Sequence, residues 1–444
     1  MKKLISFLLI IFVLSAQCTV FAKPNTDGLK SKNLLVIDTN SQRSVFKKNA
    51  DTKIAPGGLT KILTAIVVIE NMMDINELVT AKSDTVASYD YSYGNMGILA
   101  DEQLSIKDLL NGMLLYDAGD AAEVLASYIF ENRDKFIKEM NTKAKQLGAK
   151  KSNFVNASGY PDDKQYSTLS DLALITQYAM NNDTFAQIVA QPNVEIAPSN
   201  KYKQKRYLNN TNKFVCPYIS KDYYTENASG VKTSYNSNDD CGLIVKFSTD
   251  KTGFLCLISG APYDGTTNYT YEDAKILFNY AKSYYKTVKV VSSDEIAAEI
   301  PVKNAKGTNR VLLVSTEDIY ANLPSDYDKK LLKTTTETDK NVKAPIKKGD
   351  AYGVITVTYD GEKYATGHLV ASQDLEAAPL KGILFAVLGI FTSTPFKIVV
   401  LIIIVLYIAF TMFVNHIKRK KRRLKRLKQK QRERQLQNNY DYDM

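Results

Sequence analysis

The sequence predicts an exported α+β domain, a small all-β domain behind it, and one membrane-spanning helix near the C-terminus. Three observations carry this expectation. One strand pair is followed by several helices, then a hairpin and a closing helix, which is not a βαβ repeat. Helical periodicity largely vanishes after Thr287. An apolar run stands near each end of the chain.

In chain order, Leu34–Asp38 is a short apolar strand and Arg43–Lys47 reads as its hairpin partner. Pro56-Gly57-Gly58 punctuates, and Leu59–Met73 follows as a helix apolar nearly all round, expected to run through a core. Leu104–Tyr116 and Ala121–Phe130 read as helices split by the irregular Asp117–Asp120. Asp134–Leu147 is amphipathic and stops at Gly148. Ser170–Met180 is a further helix with Ser170 as the expected N-cap. Gly242–Phe247 and Gly253–Ser259 form a hairpin, and Glu272–Lys286 closes the domain with Ala274, Leu277, Phe278, Ala281 and Tyr284 on one stripe. Ala297–Val302, Val311–Ser315, Ala351–Tyr359 and Lys363–Val370 are strand-like, with Asp360-Gly361 as a turn signal.

The ends set the topology. Residues 1–22 have Lys2 and Lys3, the apolar stretch Leu4–Leu14 and a small-residue close at Ala22, the plan of a secretory signal peptide. Residues 396–414 are long and apolar enough to span a bilayer, with Lys397 snorkelling. The basic cluster Lys418–Arg426 follows at once, so the 415–444 tail is expected in the cytoplasm and the ectodomain outside. Residues 376–395 read as a stalk or interfacial segment.

Charge divides the same way. The tail holds 12 Lys/Arg against 3 Asp/Glu, and Lys2 and Lys3 add two more positive charges. The net +11 is thereby used up, and residues between these segments sum to zero. A nucleic-acid protein would carry its basic excess on a folded domain, so that class is excluded. Once Cys18 leaves with the signal peptide, Cys216, Cys241 and Cys256 remain, an odd set without Cys-x-x-Cys spacing. The two histidines, His368 and His416, lie far from the first domain's candidate site. A His-based triad or His-ligated metal is therefore excluded there, and no metal or cofactor is expected.

The chemistry centres on Pro56–Thr64, PGGLTKILT. A lysine three residues after a helix-start position lies on the same face one turn along, where its amine can take a proton from a serine hydroxyl. Lys61 is present, but the residue three before it is Gly58.

This stretch resembles the PAS-x-TK-x-x-TA signature of the serine D-alanyl-D-alanine carboxypeptidases, the low-molecular-mass penicillin-binding proteins (peptidase S11-like). Further segments match in order: LLNGMLLYDAGDAAEVLA at Leu109–Ala126, the MN-x-KA-x-x-LG pattern from Met140, STLSDLA at Ser167–Ala173, and Lys232-Thr233-Ser234 for the Lys-Thr-Gly strand. The resemblance covers about residues 29–372. It implies a transpeptidase domain of penicillin-binding-protein/β-lactamase type at 29–287, a β domain at 288–375 and a C-terminal anchor.

All three motifs depart from the family's pattern. Gly58 stands for the acylated Ser; Asp117, Ala118 and Gly119 stand for Ser, Gly and Asn; and Ser234 stands for Gly. Lys61, Lys232 and Thr233 survive. By resemblance, Lys232, Thr233 and Tyr235 are the substrate-binding set, and Gly58 and Tyr235 N–H are the oxyanion donors. Asp117 is expected to pair with one or both lysines. Loss of the nucleophile costs on the order of a million-fold in turnover. The expected function is a membrane-anchored pseudoenzyme at peptidoglycan that binds a stem peptide, a β-lactam-like ligand or a partner without cleavage. The alternatives are an active or residual carboxypeptidase, and a structural protein working through protein or anionic-lipid contacts of its basic tail.

Overall fold

The computed structural model describes residue 26, residues 28–237, 240–378, residue 389 and residues 393–440. The expected signal peptide with Cys18, and most of the expected stalk, lie outside the described residues.

Two strands open the fold, β1 (Asn33–Asp38) and β2 (Ser44–Lys48), paired antiparallel. A 3-10 turn at Gly57–Thr60 then leads into α1 (Lys61–Asn71). Ile62, Leu63, Ala65, Ile66, Val67 and Val68 on α1 are all buried, as an all-round apolar helix must be. The helix expected from Leu104 starts later, as α2 (Ile106–Leu115). Gln103–Ser105 is instead a strand paired with Leu78–Thr80, and the Ser105 hydroxyl accepts from Asp108 N at 3.0 Å to cap α2. Next come α3 (Gly119–Ile129), α4 (Arg133–Gln146) and α5 (Leu169–Met180). The N-cap of α5 is Thr168, not Ser170: Thr168 is extended and its Oγ1 accepts from Asp171 N at 3.1 Å, whereas Ser170 already lies inside the helix. Short elements without a periodic signal escape sequence reading, among them Ser83–Ser88, Asp183–Val189 and the strand pair Asn193–Ile196 with Arg206–Asn209.

The central sheet is completed by β3 (Ala228–Ser237), β4 (Asp240–Ser248) and β5 (Gly253–Ala261), in the antiparallel order β2-β1-β5-β4-β3. Helix α6 (Tyr269–Tyr284) follows, starting and ending slightly before the expected Glu272–Lys286. Strand alternation sorts the sheet's side chains into two cores. Leu35, Ile37, Ile244, Leu255 and Leu257 join the large cluster built by α1–α5. Leu34, Val36, Leu243, Val245, Cys256 and Ile258 join a second cluster with Ala274, Leu277 and Ala281 of α6. The sheet is thus a layer between helices, and β3 is its open edge beside the Gly57–Thr60 turn. Cys216, Cys241 and Cys256 are free and buried.

From Tyr285 to Ala371 the described elements are strands, apart from a 3-10 turn at Lys329–Leu331. The chain divides into two compact units. The first is 1–295 with 315–337 and 354–369; the second is 296–314 with 338–353 and 370–444. In the first unit Tyr285–Val291 pairs antiparallel with Ile319–Pro324. In the second, Ile296–Lys303 pairs antiparallel with the strand from Arg310 and parallel with Val342–Lys343. Helix α7 (Thr394–Tyr440) also belongs to the second unit. Among the described residues it is the one helix long and apolar enough to cross a membrane, with a mean hydropathy of 2.8 over its most apolar stretch.

Candidate active site

Three pieces of chain converge at the open edge of the sheet. The Gly57–Thr60 turn sets Gly58 one helical turn before Lys61, the first residue of α1. The link between α2 and α3 supplies Asp117 in a left-handed conformation (φ 65°), which aspartate tolerates better than most residues. Edge strand β3 supplies Lys232, Thr233 and Ser234.

Asp117 Oδ1 lies 3.0 Å from Lys61 Nζ and 2.7 Å from Lys232 Nζ, so one carboxylate oxygen serves both ammonium groups. Both lysines are buried, whereas about a quarter of the Asp117 side chain (26 %) is exposed. Burial by itself would raise the Asp117 carboxyl, but Lys232 and Lys61 outweigh it and hold its pKa below the ordinary value. Burial pushes the Lys232 amine down to about 8, against the pull of Asp117, and the neighbouring Lys61 charge lowers it further. Lys232 Nζ also donates to the Thr233 carbonyl at 3.0 Å.

The position expected to serve as an oxyanion donor is already used. Gly58 N–H donates to Ser234 Oγ at 3.0 Å, so the expectation that this N–H stands ready for a ligand is corrected. The Ser234 hydroxyl, where the family's motif has glycine, turns inward and donates to Asn236 Oδ1 at 3.1 Å. Asn236 Nδ2 donates in turn to Ala55 O at 3.1 Å and Asp240 Oδ2 at 2.9 Å. Thr233 Oγ1 lies 2.6 Å from Thr211 Oγ1. Tyr235 is largely exposed, with its ring centroid 6.3 Å from that of Tyr263.

Three glycines in the altered motifs have their missing side-chain space filled from elsewhere. A Cβ at Gly58 would lie 2.8 Å from Asp117 Oδ1 and 2.9 Å from the Thr233 carbonyl oxygen. At Gly57 (φ 50°) a Cβ would fall on Asn236 Oδ1, and at Gly119 it would fall on Tyr89 Oη, with Tyr89 Cζ at 2.9 Å. Tyr89 Oη is itself held by donation to Gly94 O at 2.7 Å. What remains open is a cavity of about 50 Å³ lined by Gly58, Lys61, Asp117, Tyr93, Tyr160 and Asn236 among others. Ligand sites ordinarily measure about 300–1,000 Å³. A larger cavity of about 680 Å³ shares Tyr89, Ser158 and Tyr160 with it and includes Glu123 and Arg133 in its wall. Among the described residues, no group of three or more His, Cys, Asp or Glu is placed to hold a metal ion.

The structure thus brings Gly58, Lys61, Asp117, Lys232 and Ser234 together, with Gly119 at the start of α3 beside Tyr89. Sequence reading missed Asn236 and Tyr89. Asn236 stands two residues beyond Ser234 on the same strand, the one local hint that its side chain shares Ser234's face. Tyr89 precedes Gly119 by a long stretch of chain and carries no such signal.

Helices thus layer around an antiparallel sheet, and two buried lysines stand beside a helix start and the sheet edge. Residues 20–259 match the D-alanyl-D-alanine carboxypeptidase family and residues 285–377 match the penicillin-binding protein 5 C-terminal domain. The chain belongs to the D-alanyl-D-alanine carboxypeptidase family. It is 25% identical over 386 residues to the D-alanyl-D-alanine carboxypeptidase DacF of Bacillus subtilis, covering 85% of this chain and 96% of that one. It is 24% identical over 359 residues to DacA of Escherichia coli, covering 79% and 85% respectively. Among solved structures, penicillin-binding protein 5 of Haemophilus influenzae shares the fold at TM-score 0.58 and 23% identity, over 78% of this chain and 98% of that one. A peptidoglycan synthesis regulatory factor (PBP3) of Streptococcus pneumoniae shares it at TM-score 0.67 and 17% identity, over 78% and 100%.

Proposed function

We propose that this chain is a membrane-anchored protein of the peptidoglycan layer that does not hydrolyse the D-Ala–D-Ala bond and works by association. The observation that carries this reading is Asp117. Its carboxylate pairs with both lysines that would activate a nucleophile, and it faces a position, Gly58, that has no hydroxyl to activate. The surviving lysines are thereby engaged by Asp117, with no hydroxyl at position 58 for either to deprotonate. The family's activity and the peptidoglycan named for one structural relative support the location, and α7 supports anchoring, with the ectodomain outside and the basic tail in the cytoplasm.

The roughly 50 Å³ left beside Gly58 argues against a stem peptide or β-lactam seated at that position, and leaves the adjoining cavity of about 680 Å³ as the larger space for association. The test is the full-length chain in detergent, incubated with a fluorescent penicillin and with a pentapeptide ending in D-Ala-D-Ala. No covalent label and no released D-Ala are expected. Penicillin labelling that unlabelled drug competes away, or D-Ala release abolished by Lys61→Ala, would establish the residual-enzyme alternative instead.

A further inference from the structure

The geometry points to Ser234 as an internal ligand of the pocket. Its hydroxyl occupies the Gly58 N–H that a substrate carbonyl oxygen would need, and Asn236 holds it there. This rests on the reading of the site as non-hydrolytic, and it names what closes the pocket.

The hydrogen bonds run in one direction. Gly58 N–H donates to Ser234 Oγ at 3.0 Å, the Ser234 hydroxyl donates to Asn236 Oδ1 at 3.1 Å, and the Asn236 amide donates to Ala55 O and Asp240 Oδ2. Each donor is used, and Ser234 is only 4% exposed, so the Gly58–Ser234 bond itself is shielded from solvent. Gly57 is part of the same device. Any side chain there would occupy the place of the Asn236 amide, and the left-handed backbone at Gly57 suits glycine independently.

The bond from Gly58 to Ser234 also fixes how close β3 stands to the Gly57–Thr60 turn. The Thr233 carbonyl oxygen is 2.9 Å from where a Cβ on residue 58 would lie. Asp117 crowds the same point at 2.8 Å, but it is the end of a side chain and can swing away. A strand carbonyl cannot do so without retreat of the strand. The obstacles are therefore ranked: releasing Asp117 leaves the strand in place, whereas releasing Ser234 lets the strand withdraw and frees the N–H at once. A carbonyl-bearing ligand is shut out by a hydroxyl that imitates its oxygen.

The test compares covalent labelling rates with fluorescent penicillin for three forms of the full-length chain: Gly58→Ser, Gly58→Ser/Asp117→Ser, and Gly58→Ser/Asp117→Ser/Ser234→Gly. The first two should stay near background, and adding Ser234→Gly should raise the rate about a hundredfold or more, the scale of one oxyanion-hole donor. Equal rates in the second and third forms overturn the assignment. Should the triple substitution fail to fold, Ser234→Ala in the otherwise unaltered chain decides. Amide hydrogen exchange in a peptide covering residues 55–60 should speed up by about tenfold, and unchanged protection overturns the assignment. Labelling of the unaltered chain would sink the non-hydrolytic reading while leaving the ranking of the three variants as the measure of Ser234.

Discussion

Two buried ion clusters in the same domain are built on opposite principles. Glu102 receives the Arg206 guanidinium at 2.8 and 2.9 Å, the Ser199 hydroxyl at 2.6 Å and the Leu99 N–H at 2.9 Å. Arg206 sends its remaining donors to the Met96 and Gly97 carbonyls, each at 3.1 Å, and lies over the Tyr202 ring. One charge meets one charge through a planar fork, and the surrounding polar atoms complete the set. At Asp117, a single carboxylate oxygen is shared by two point charges, Lys61 and Lys232, and the cluster keeps one surplus positive charge. A structural ion pair is matched in number and geometry. The Asp117 cluster leaves its cations incompletely balanced, and burial first, with the Lys61 charge adding to it, brings the Lys232 amine down to about 8.

Breaking the matched pair should cost most. Glu102→Gln or Arg206→Met strands a buried charge and should destabilise by roughly 3–5 kcal/mol, read as the shift of a urea or thermal midpoint. A loss below about 1 kcal/mol in both would show the pair to be incidental. Asp117→Asn keeps the left-handed backbone that residue 117 requires but leaves two lysines facing each other. Because the carboxylate is partly exposed, a smaller loss of about 2–3 kcal/mol is expected by the same measurement. Lys61→Met sharpens the contrast, since removing one of two cations leaves a one-to-one pair. Its cost should stay under about 1 kcal/mol, far less than that of Arg206→Met. A large loss would mean that both lysines are needed and the cluster is not overcharged.

A further effect is in pH. The folded Lys232 amine lies near 8, below its ordinary value of 10.5, so between these values the unfolded chain holds more protons. This group's contribution to stability therefore rises as pH climbs through that window. Lys61→Met removes one of the depressing charges, so the rise should begin at higher pH, and in Lys232→Met it should be absent. The Asp117 contribution has the opposite edge. It is present above the ordinary carboxylate range and disappears as pH falls through the lowered folded value. Melting curves from pH 3 to pH 10 on the parent chain and these two lysine variants would show both edges. A flat profile from pH 8 to 10 in the parent would remove Lys232 as a strained group.

The fold was largely legible in the sequence because its signals are local and repeated. The all-apolar run on α1, the apolar runs of β4 and β5 and the stripe on α6 each report their own burial. The two lysines and the vacant Gly58 are legible through the resemblance of their motifs to the carboxypeptidase pattern, not through spacing alone. Elements of three to seven residues, such as Gln103–Ser105 and Asp183–Val189, are too short for a period to show and were decided by caps and partners.

The chemistry of the pocket divides in the same manner. The sequence by itself determined that no hydroxyl stands at position 58, that Lys61 and Lys232 remain, and that an aspartate has entered the second motif. Only the tertiary structure decided how little space is left beside Gly58. The Ser234 hydroxyl reaches Gly58 across 176 residues of sequence separation, the Asn236 amide fills the space beside Gly57, and the Tyr89 hydroxyl fills that beside Gly119. Such contacts depend on how close a strand edge, a loop and a helix start approach one another, and no spacing along the chain encodes that distance. The physical reason is the hydrogen bond itself. A few tenths of an ångström in the position of β3 separate an N–H offered to a ligand from one already held by the protein's own side chain.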